Sequence, residues 1–202
     1  MLRAKKADFF ALSEKYGVDP VIIRLLVNRG VKEEEMGRYL NPTLSQLHDP
    51  HLLKDSDKAA EILEDEIKKG THIRIIGDYD VDGVNSTYIL YRCLENAGAS
   101  VSYAIPHRAN DGYGINIRLI DQAKEEGAGL IITCDNGIAA SGEIAHAKSL
   151  GLKVIVTDHH EVPFEENGGK RCEILPPADA IVNPKQALCP YPFKGICGAV
   201  VA

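Results

Sequence analysis

Three short segments of the sequence concentrate carboxylate and imidazole side chains. GDYDVDG places three aspartates within five residues, CDNGI carries one, and TDHHEVP follows an aspartate with two histidines. Carboxylates this close together cannot all ionise unless a cation binds them. Several carboxylates with imidazole suit Mn²⁺ or a comparable divalent ion better than zinc. The segments therefore predict a metal site, with candidate ligands Asp78, Asp80, Asp82, Asp135 and His159 and candidate catalytic residues Asp158 and His160.

Such a site could hydrolyse phosphate esters. If one aspartate bridges two ions about 3.5–4 Å apart, the pair can activate water and clamp a phosphoryl group. His159 would be a metal ligand, and His160 could donate a proton to the departing oxygen or bind a phosphate oxygen. Arg108, in IPHRANDGYG, is a candidate phosphate-binding residue, although a surface arginine in a loop accounts for it equally well.

Helix capping and calcium binding account less well for these residues. A single aspartate after a strand is more often the N-cap of the next helix, but capping does not explain three such strand ends with a histidine pair. A calcium loop needs glutamate at position 89, where the sequence has Ile89. The sequence contains neither a P-loop nor a serine nucleophile elbow. A metallohydrolase site is the better interpretation.

The elements that must position these residues alternate between strands and helices. From residue 71 the pattern predicts an α/β domain, a mostly parallel sheet with helices on both faces. Because Asp78, Asp135 and Asp158 each follow a strand, they should meet at the edge of the sheet where α/β folds bind ligands. The predicted strands are His72–Ile76, Ser100–Ile105, Gly129–Thr133, Lys153–Thr157 and Ala180–Val182, and the predicted helices are roughly Gly83–Ala97, Ile115–Glu126 and Ala139–Leu150.

The chain divides by composition at about residue 70. Residues 1–70 predict a small helical region, and residues 71–202 predict the α/β domain. Residues 163–177 read as a mobile surface loop. An apolar helix begins after Gly195 and breaks off, so we expect the chain to be the N-terminal piece of a longer protein.

Composition narrows the class of protein. The 202 residues carry a net charge of −6, which argues against a passive, basic nucleic-acid coat. No window is apolar enough for a transmembrane helix, and the N-terminus offers no signal peptide. Five cysteines without a C-x-x-C pair are typical of reduced thiols. We therefore expect a cytoplasmic protein without membrane contact.

The three segments, in this order and at these strand ends, resemble motifs I to III of the DHH phosphoesterase superfamily. The N-terminal LLVNRGVKEEEMGRYLNPTLSQLHDPHLLKDSDKAAEIL, together with IPHRANDGYGIN and PYPFKGICGAVVA, is similar to the RecJ-type exonucleases within it. That resemblance implies degradation of single-stranded DNA from the 5′ end, with Mn²⁺ or Mg²⁺, in recombination and repair. Single-stranded DNA would be the substrate, and a single-strand-binding protein or a helicase could be a protein partner.

The resemblance also implies a role for each residue. Asp80 and Asp82 would each bind one metal ion, and Asp135 would bridge the two. His159 would be a ligand, with His160 close to the scissile phosphate. The acids that match the remaining family positions are Asp78 and Asp158, and Arg108 lies in a segment that would face the phosphate.

The sequence departs from the family in lacking its fourth metal-binding motif, the DHH-associated domain and the oligonucleotide-binding fold. We therefore expect the chain alone to hold metal weakly or incompletely and to be inactive. Two other functions stay open, a DHH phosphodiesterase acting on short oligonucleotides or cyclic dinucleotides, and a non-catalytic scaffold. Intact acids and histidines in all three motifs argue against the scaffold, which has no need for unpaired carboxylates in one cleft.

Overall fold

A computed structural model describes residues 6–107 and 112–202 and divides the chain into two compact units, residues 1–47 and 48–202. The first unit is helical. Asp8 and Asp19 cap two of its helices through their side chains, and Gly17 and Gly30 end those helices at positive φ. The helices are α1 (Phe9–Tyr16), α2 (Pro20–Arg29) and α3 (Glu33–Leu40), packed around Ile23, Leu26 and Met36.

The second unit is built on strands and helices that alternate along the chain. Its strands are β1 (His72–Ile76), β2 (Ser100–Ala104), β3 (Ala128–Cys134), β4 (Lys153–Thr157), β5 (Phe164–Asn167), β6 (Lys170–Glu173) and β7 (Ala180–Val182). Its helices are α4 (Ser56–Lys68), α5 (Val81–Asn96), α6 (Ile117–Glu125), α7 (Ser141–Ser149) and α8 (Gly198–Val201), and the 3₁₀ turn Pro50–Leu52 precedes α4. A second 3₁₀ turn, Leu44–Gln46, belongs to the first unit.

Five of the strands form one parallel sheet in the order β2-β1-β3-β4-β7. Alternate residues of β3 point into two separate cores, with Leu130 and Ile132 in one and Ile131 in the other. Residues of α4, α5 and α8 share the first core, and residues of α6 and α7 share the second. Apolar residues on both faces are what a parallel sheet covered on both sides requires. The predicted fold class is confirmed.

The sheet places its functional edge between β1 and β3. From β1 the chain runs outward to β2 in one direction, and then returns to build β3, β4 and β7 in the other. Such a reversal opens a crevice at the carboxyl ends of the two central strands, where α/β sheets bind ligands. The three motifs follow β1, β3 and β4, so all of them lie at or beside this crevice.

Two features differ from the sequence-based expectations. The prediction of a surface loop over residues 163–177 is wrong in its central part, where β5 and β6 form an antiparallel hairpin. Gly168 and Gly169, both at positive φ, make its tight turn. Its strands are exposed and largely polar, so they show no apolar alternation in the sequence.

Helix α4 belongs to the unit that contains the sheet, because Ala59 of α4 lies in the core of that unit. Composition placed the boundary between the two parts of the chain after this helix, at about residue 70.

No helix among the described residues combines the length and apolar character that crossing a membrane requires.

Candidate metal centre

The first motif brings two carboxylates to the end of β1. Asp78 is only 1% exposed, and its Oδ1 has no hydrogen-bond partner among the described residues. Asp80 is the N-cap of α5, where its Oδ1 accepts hydrogen bonds from the backbone N–H groups of Asp82 (2.9 Å) and Gly83 (3.0 Å). One buried carboxylate oxygen is thus left without a donor beside a second carboxylate whose orientation is fixed by capping.

Gly77 and Gly83 allow this turn to fold back on α5. A Cβ at Gly83 would lie 2.6 Å from the carbonyl oxygen of Asp78, and a Cβ at Gly77 would lie 2.0 Å from Oγ1 of Thr87. Neither approach tolerates a side chain. The glycines in the motif therefore set how closely helix and strand end approach, and so where the carboxylates point.

The second motif places Asp135 at the centre of the site. Its backbone has a φ of +61°, and its side chain is 2% exposed. Its Oδ1 lies 2.9 Å from Nε2 of His159 but accepts no well-directed hydrogen bond from any described residue. Burial, together with the charges of Asp82 and Asp80, raises the pKa of Asp135 to about 7. A buried carboxylate with so little compensation is a position where a cation would bind.

Gly198, at the start of α8, packs directly against this carboxylate. A Cβ at that position would lie 2.7 Å from Oδ1 of Asp135. Any larger residue would push α8 away from the crevice.

In the third motif Asp158 fixes the two histidines. Its Oδ1 accepts from the backbone N–H groups of His159 (2.7 Å) and His160 (3.1 Å) and from Nδ1 of His160 (2.7 Å), and its Oδ2 accepts from the N–H of Ile138 (2.9 Å). Burial opposes ionisation of Asp158, but these donors outweigh it, and its pKa is lowered. The hydrogen bond to Asp158 also raises the pKa of His160. Asp158 therefore orients His160, and both of its oxygens accept hydrogen bonds.

The predicted site residues form two clusters that share one carboxylate. Ligand atoms of Asp78, Asp80 and Asp135 lie within 4.8 Å of one another, and the same holds for Asp135, His159 and His160. An aspartate common to two neighbouring ligand sets is the arrangement that a pair of bridged ions needs.

Asp82 differs from the other predicted ligands in its hydrogen bonds to the start of α8. Its Oδ2 accepts from the N–H of Gly198 (2.6 Å) and its Oδ1 from the N–H of Ala199 (2.8 Å). Partial burial works against its ionisation, but these two backbone donors, with help from His159, lower the pKa of Asp82. Nε2 of His159 is 3.4 Å from Oδ2 of Asp82. The carboxylate is close enough to join the site, but both of its oxygens also hold the start of α8.

Two functional positions are not evident from the sequence pattern. The hydroxyl of Tyr113 donates to the carbonyl oxygen of Asp135 (3.0 Å) and lies 3.3 Å from Nε2 of His160. Asn136 donates through Nδ2 to the carbonyl of Ile76 (3.1 Å) and so ties the ends of β1 and β3 together. The tyrosine between two glycines in GYG was the available signal. Arg108, the predicted phosphate-binding residue, lies outside the described residues.

Family comparison agrees with the position and composition of this site. The profile described as "DHH family, N-terminal domain" matches residues 72–202. The chain belongs to the DHH family.

The relatives of this DHH chain include named exonucleases. It is 42% identical over 193 residues to the single-stranded-DNA-specific exonuclease RecJ of Bacillus subtilis, covering 95% of this chain and 23% of that protein. It is 39% identical over 202 residues to RecJ of Salmonella typhimurium, covering 100% of this chain and 33% of that protein. The chain thus spans about a quarter to a third of the length of these curated relatives.

Solved structures of similar proteins contain manganese. A crystal structure of exonuclease RecJ bound to manganese superposes with a TM-score of 0.62 at 37% identity, covering 74% of this chain and 35% of that one. RecJ of Thermus thermophilus in complex with Mn²⁺ gives a TM-score of 0.64 at 31% identity, covering 96% of this chain and 25% of that one.

Proposed function

We propose that this DHH chain carries the metal-dependent hydrolytic centre of a 5′-to-3′ exonuclease that degrades single-stranded DNA. The observation that carries the proposal is the pair of clusters sharing Asp135, in which the Oδ1 atoms of Asp78 and Asp135 are buried without a hydrogen-bond donor among the described residues. Buried carboxylate oxygens of this kind are costly unless a cation compensates them.

The residues fit Mn²⁺ or Mg²⁺. Asp78 and Asp80 would hold one ion, His159 the other, and Asp135 both, with Asp82 able to join through the oxygen that faces His159. Carboxylate oxygens suit both ions, and imidazole favours Mn²⁺. A bound pair supplies water activation and neutralises charge on the phosphoryl oxygens.

His160 is the residue we assign to the leaving group. Asp158 holds Nδ1, so the ring is oriented, and the raised pKa of His160 keeps a larger fraction of it protonated near neutral pH. Its side chain is half exposed, with Nε2 beside the Tyr113 hydroxyl. From this position Nε2 can donate a proton to the departing sugar oxygen or hydrogen-bond to a phosphate oxygen. Asp158 acts through His160 as a positioning residue.

The finer parts of the proposal come from the similarity to proteins named single-stranded-DNA-specific exonucleases. From it we infer the single-stranded DNA substrate, the 5′-to-3′ direction, a role in recombination and repair, and action in the cytoplasm. A single-strand-binding protein or a helicase is the protein partner we propose. Arg108 remains our candidate for binding a substrate phosphate, and residues 71–202 our proposed DHH domain.

The test uses the full-length protein with Mn²⁺ on three 5′-phosphorylated substrates: a single strand, a duplex and a dinucleotide. We expect the single strand to be degraded to mononucleotides, with the duplex resistant. Asp135→Asn should abolish hydrolysis, whereas Asp121→Asn, at the partly buried pair with His146 on α6 and α7, should not. Cleavage of the dinucleotide alone would contradict the proposal and favour a phosphodiesterase acting on short oligonucleotides or cyclic dinucleotides.

A further inference from the structure

A groove beside the third motif is lined by lysines, although the chain as a whole is acidic. It encloses about 400 Å³ and is bounded by Glu161, Lys185, Gln186, Ala187, Cys189 and Lys194. Gln186 is buried, and its Oε1 accepts a hydrogen bond from Nζ of Lys54 (2.8 Å). Lys185 and Lys194 therefore line one groove of a protein whose net charge is −6.

The groove adjoins His160 directly. Glu161 follows that residue in the chain, and Nδ2 of Asn183 donates to the carbonyl oxygen of His160 (3.0 Å). Oδ1 of the same asparagine accepts from the backbone N–H of Lys185 (2.8 Å), so Asn183 ties the lysine segment to the histidine. Lys185 is also near enough for its charge to act on the pKa of His160.

Among the described residues, neither Lys185 nor Lys194 is paired with a buried carboxylate. Lys185 lies 3.0 Å from Oε1 of Glu161, whose side chain is 78% exposed, and Lys194 donates to the carbonyl oxygen of Cys189 (2.6 Å). An ion pair with an acid as exposed as Glu161 is weak, so Lys185 can readily exchange Glu161 for another anion. A phosphate group entering the groove could replace Glu161 at Lys185 at little cost.

We propose that this lysine groove binds the phosphate backbone of the single-stranded substrate next to the scissile phosphate. The proposal rests on the function proposed above. A cluster of aspartates repels a polyanion, so a strand that reaches it must be held by cations on the way. The groove supplies them immediately beside His160.

Measuring oligonucleotide affinity in EDTA tests the groove separately from catalysis, because EDTA removes the metal ions that hydrolysis requires. The probe is an oligothymidylate of about twelve nucleotides, titrated at salt concentrations from about 50 to 200 mM. We expect Lys185→Gln and Lys194→Gln each to reduce the slope of log K against log salt by about 0.7, the loss of one phosphate contact on a single strand. Lys185→Arg should restore the slope. Lys124→Gln, on exposed α6 surface, is the control and should leave the slope unchanged.

Glu161→Gln provides a test of opposite sign. Removing the acid that competes for Lys185 should tighten oligonucleotide binding by roughly two- to fivefold. Loss of folding cannot produce a gain in affinity, so this result supports the groove independently of the lysine variants.

Several results would overturn the proposal. These are no binding by the unaltered chain at low salt, unchanged slopes in both glutamine variants, or equal affinity for a methylphosphonate oligonucleotide that lacks backbone charge. Equal binding of polyglutamate would assign the groove to acidic proteins instead. Because metal is absent, failure here leaves the hydrolysis experiment unaffected, and loss of hydrolysis with intact oligonucleotide binding would refute the proposed function alone.

Discussion

Replacing Asp135 with asparagine should stabilise the metal-free chain at the same time as it destroys the metal centre. The pKa of this buried carboxyl, about 7, lies above its ordinary value of 3.8. Between about pH 4 and 7 this carboxyl is therefore more protonated in the folded chain than in the unfolded chain, and its contribution to stability falls as pH rises through that window. Asparagine carries no charge, and it tolerates the φ of +61° at this position.

The size of the effect follows from the pKa. A rise of about three units corresponds to roughly 4 kcal/mol at 1.36 kcal/mol per unit, which is an upper bound because the surrounding carboxylates and water relax. We expect Asp135→Asn to gain about 1–2 kcal/mol in free energy of unfolding at pH 8 and almost nothing at pH 4. With Mn²⁺ the order should reverse, because metal stabilises only the chain that binds it.

Urea unfolding at pH 4 and pH 8, with EDTA and with Mn²⁺, measures both effects. Asp158→Asn is the matched control from the same site. Asp158 accepts four hydrogen bonds and its pKa is lowered, so its replacement should destabilise the metal-free chain at pH 8. The reasoning would be refuted if Asp135→Asn were less stable than the wild type in EDTA at pH 8. It would also be refuted if Mn²⁺ stabilised the wild type and Asp135→Asn equally.

Two further predictions concern the scaffold. Glu66 is buried between two lysines and a threonine hydroxyl, and its pKa is lowered to about 2 from 4.5. Because its lysine partners are about half exposed, we expect Glu66→Gln to lower the free energy of unfolding by about 1–2 kcal/mol at pH 7. The difference between the wild type and the variant should disappear as pH falls from 4.5 towards 2. A difference that is independent of pH in urea unfolding would contradict this. Gly77→Ala should cost about 2–3 kcal/mol by forcing a Cβ against Oγ1 of Thr87. Thr87→Ala in the same chain should recover part of that loss, and strictly additive costs of the two changes would show that the contact is not responsible.

The sequence predicts the sheet well because its strands are buried on both faces. Such strands appear as short apolar runs, and the aspartate after each run then marks a carboxyl end without further information. The five predicted strands match the observed ones to within one residue at either end. The hairpin of β5 and β6 was missed for the converse reason, since its strands bury little and leave no pattern.

Contacts between distant parts of the chain could not be predicted. Asp82 caps the start of α8, 116 residues later, so its environment depends on the completed fold. Tyr113 reaches His160 across 47 residues, and no local pattern connects the two. The motifs predict which side chains gather at the edge, whereas the fold determines which oxygens remain available for metal.

Electron paramagnetic resonance of Mn²⁺ bound to the full-length protein tests the central claim most directly. If Asp135 is shared by two metal sites, saturating Mn²⁺ should give the signal of a magnetically coupled pair. Asp135→Asn should then show only isolated ions or none. No Mn²⁺ bound to the unaltered full-length protein, or a coupled pair that persists in Asp135→Asn, would contradict the assignment of this carboxylate as the bridge.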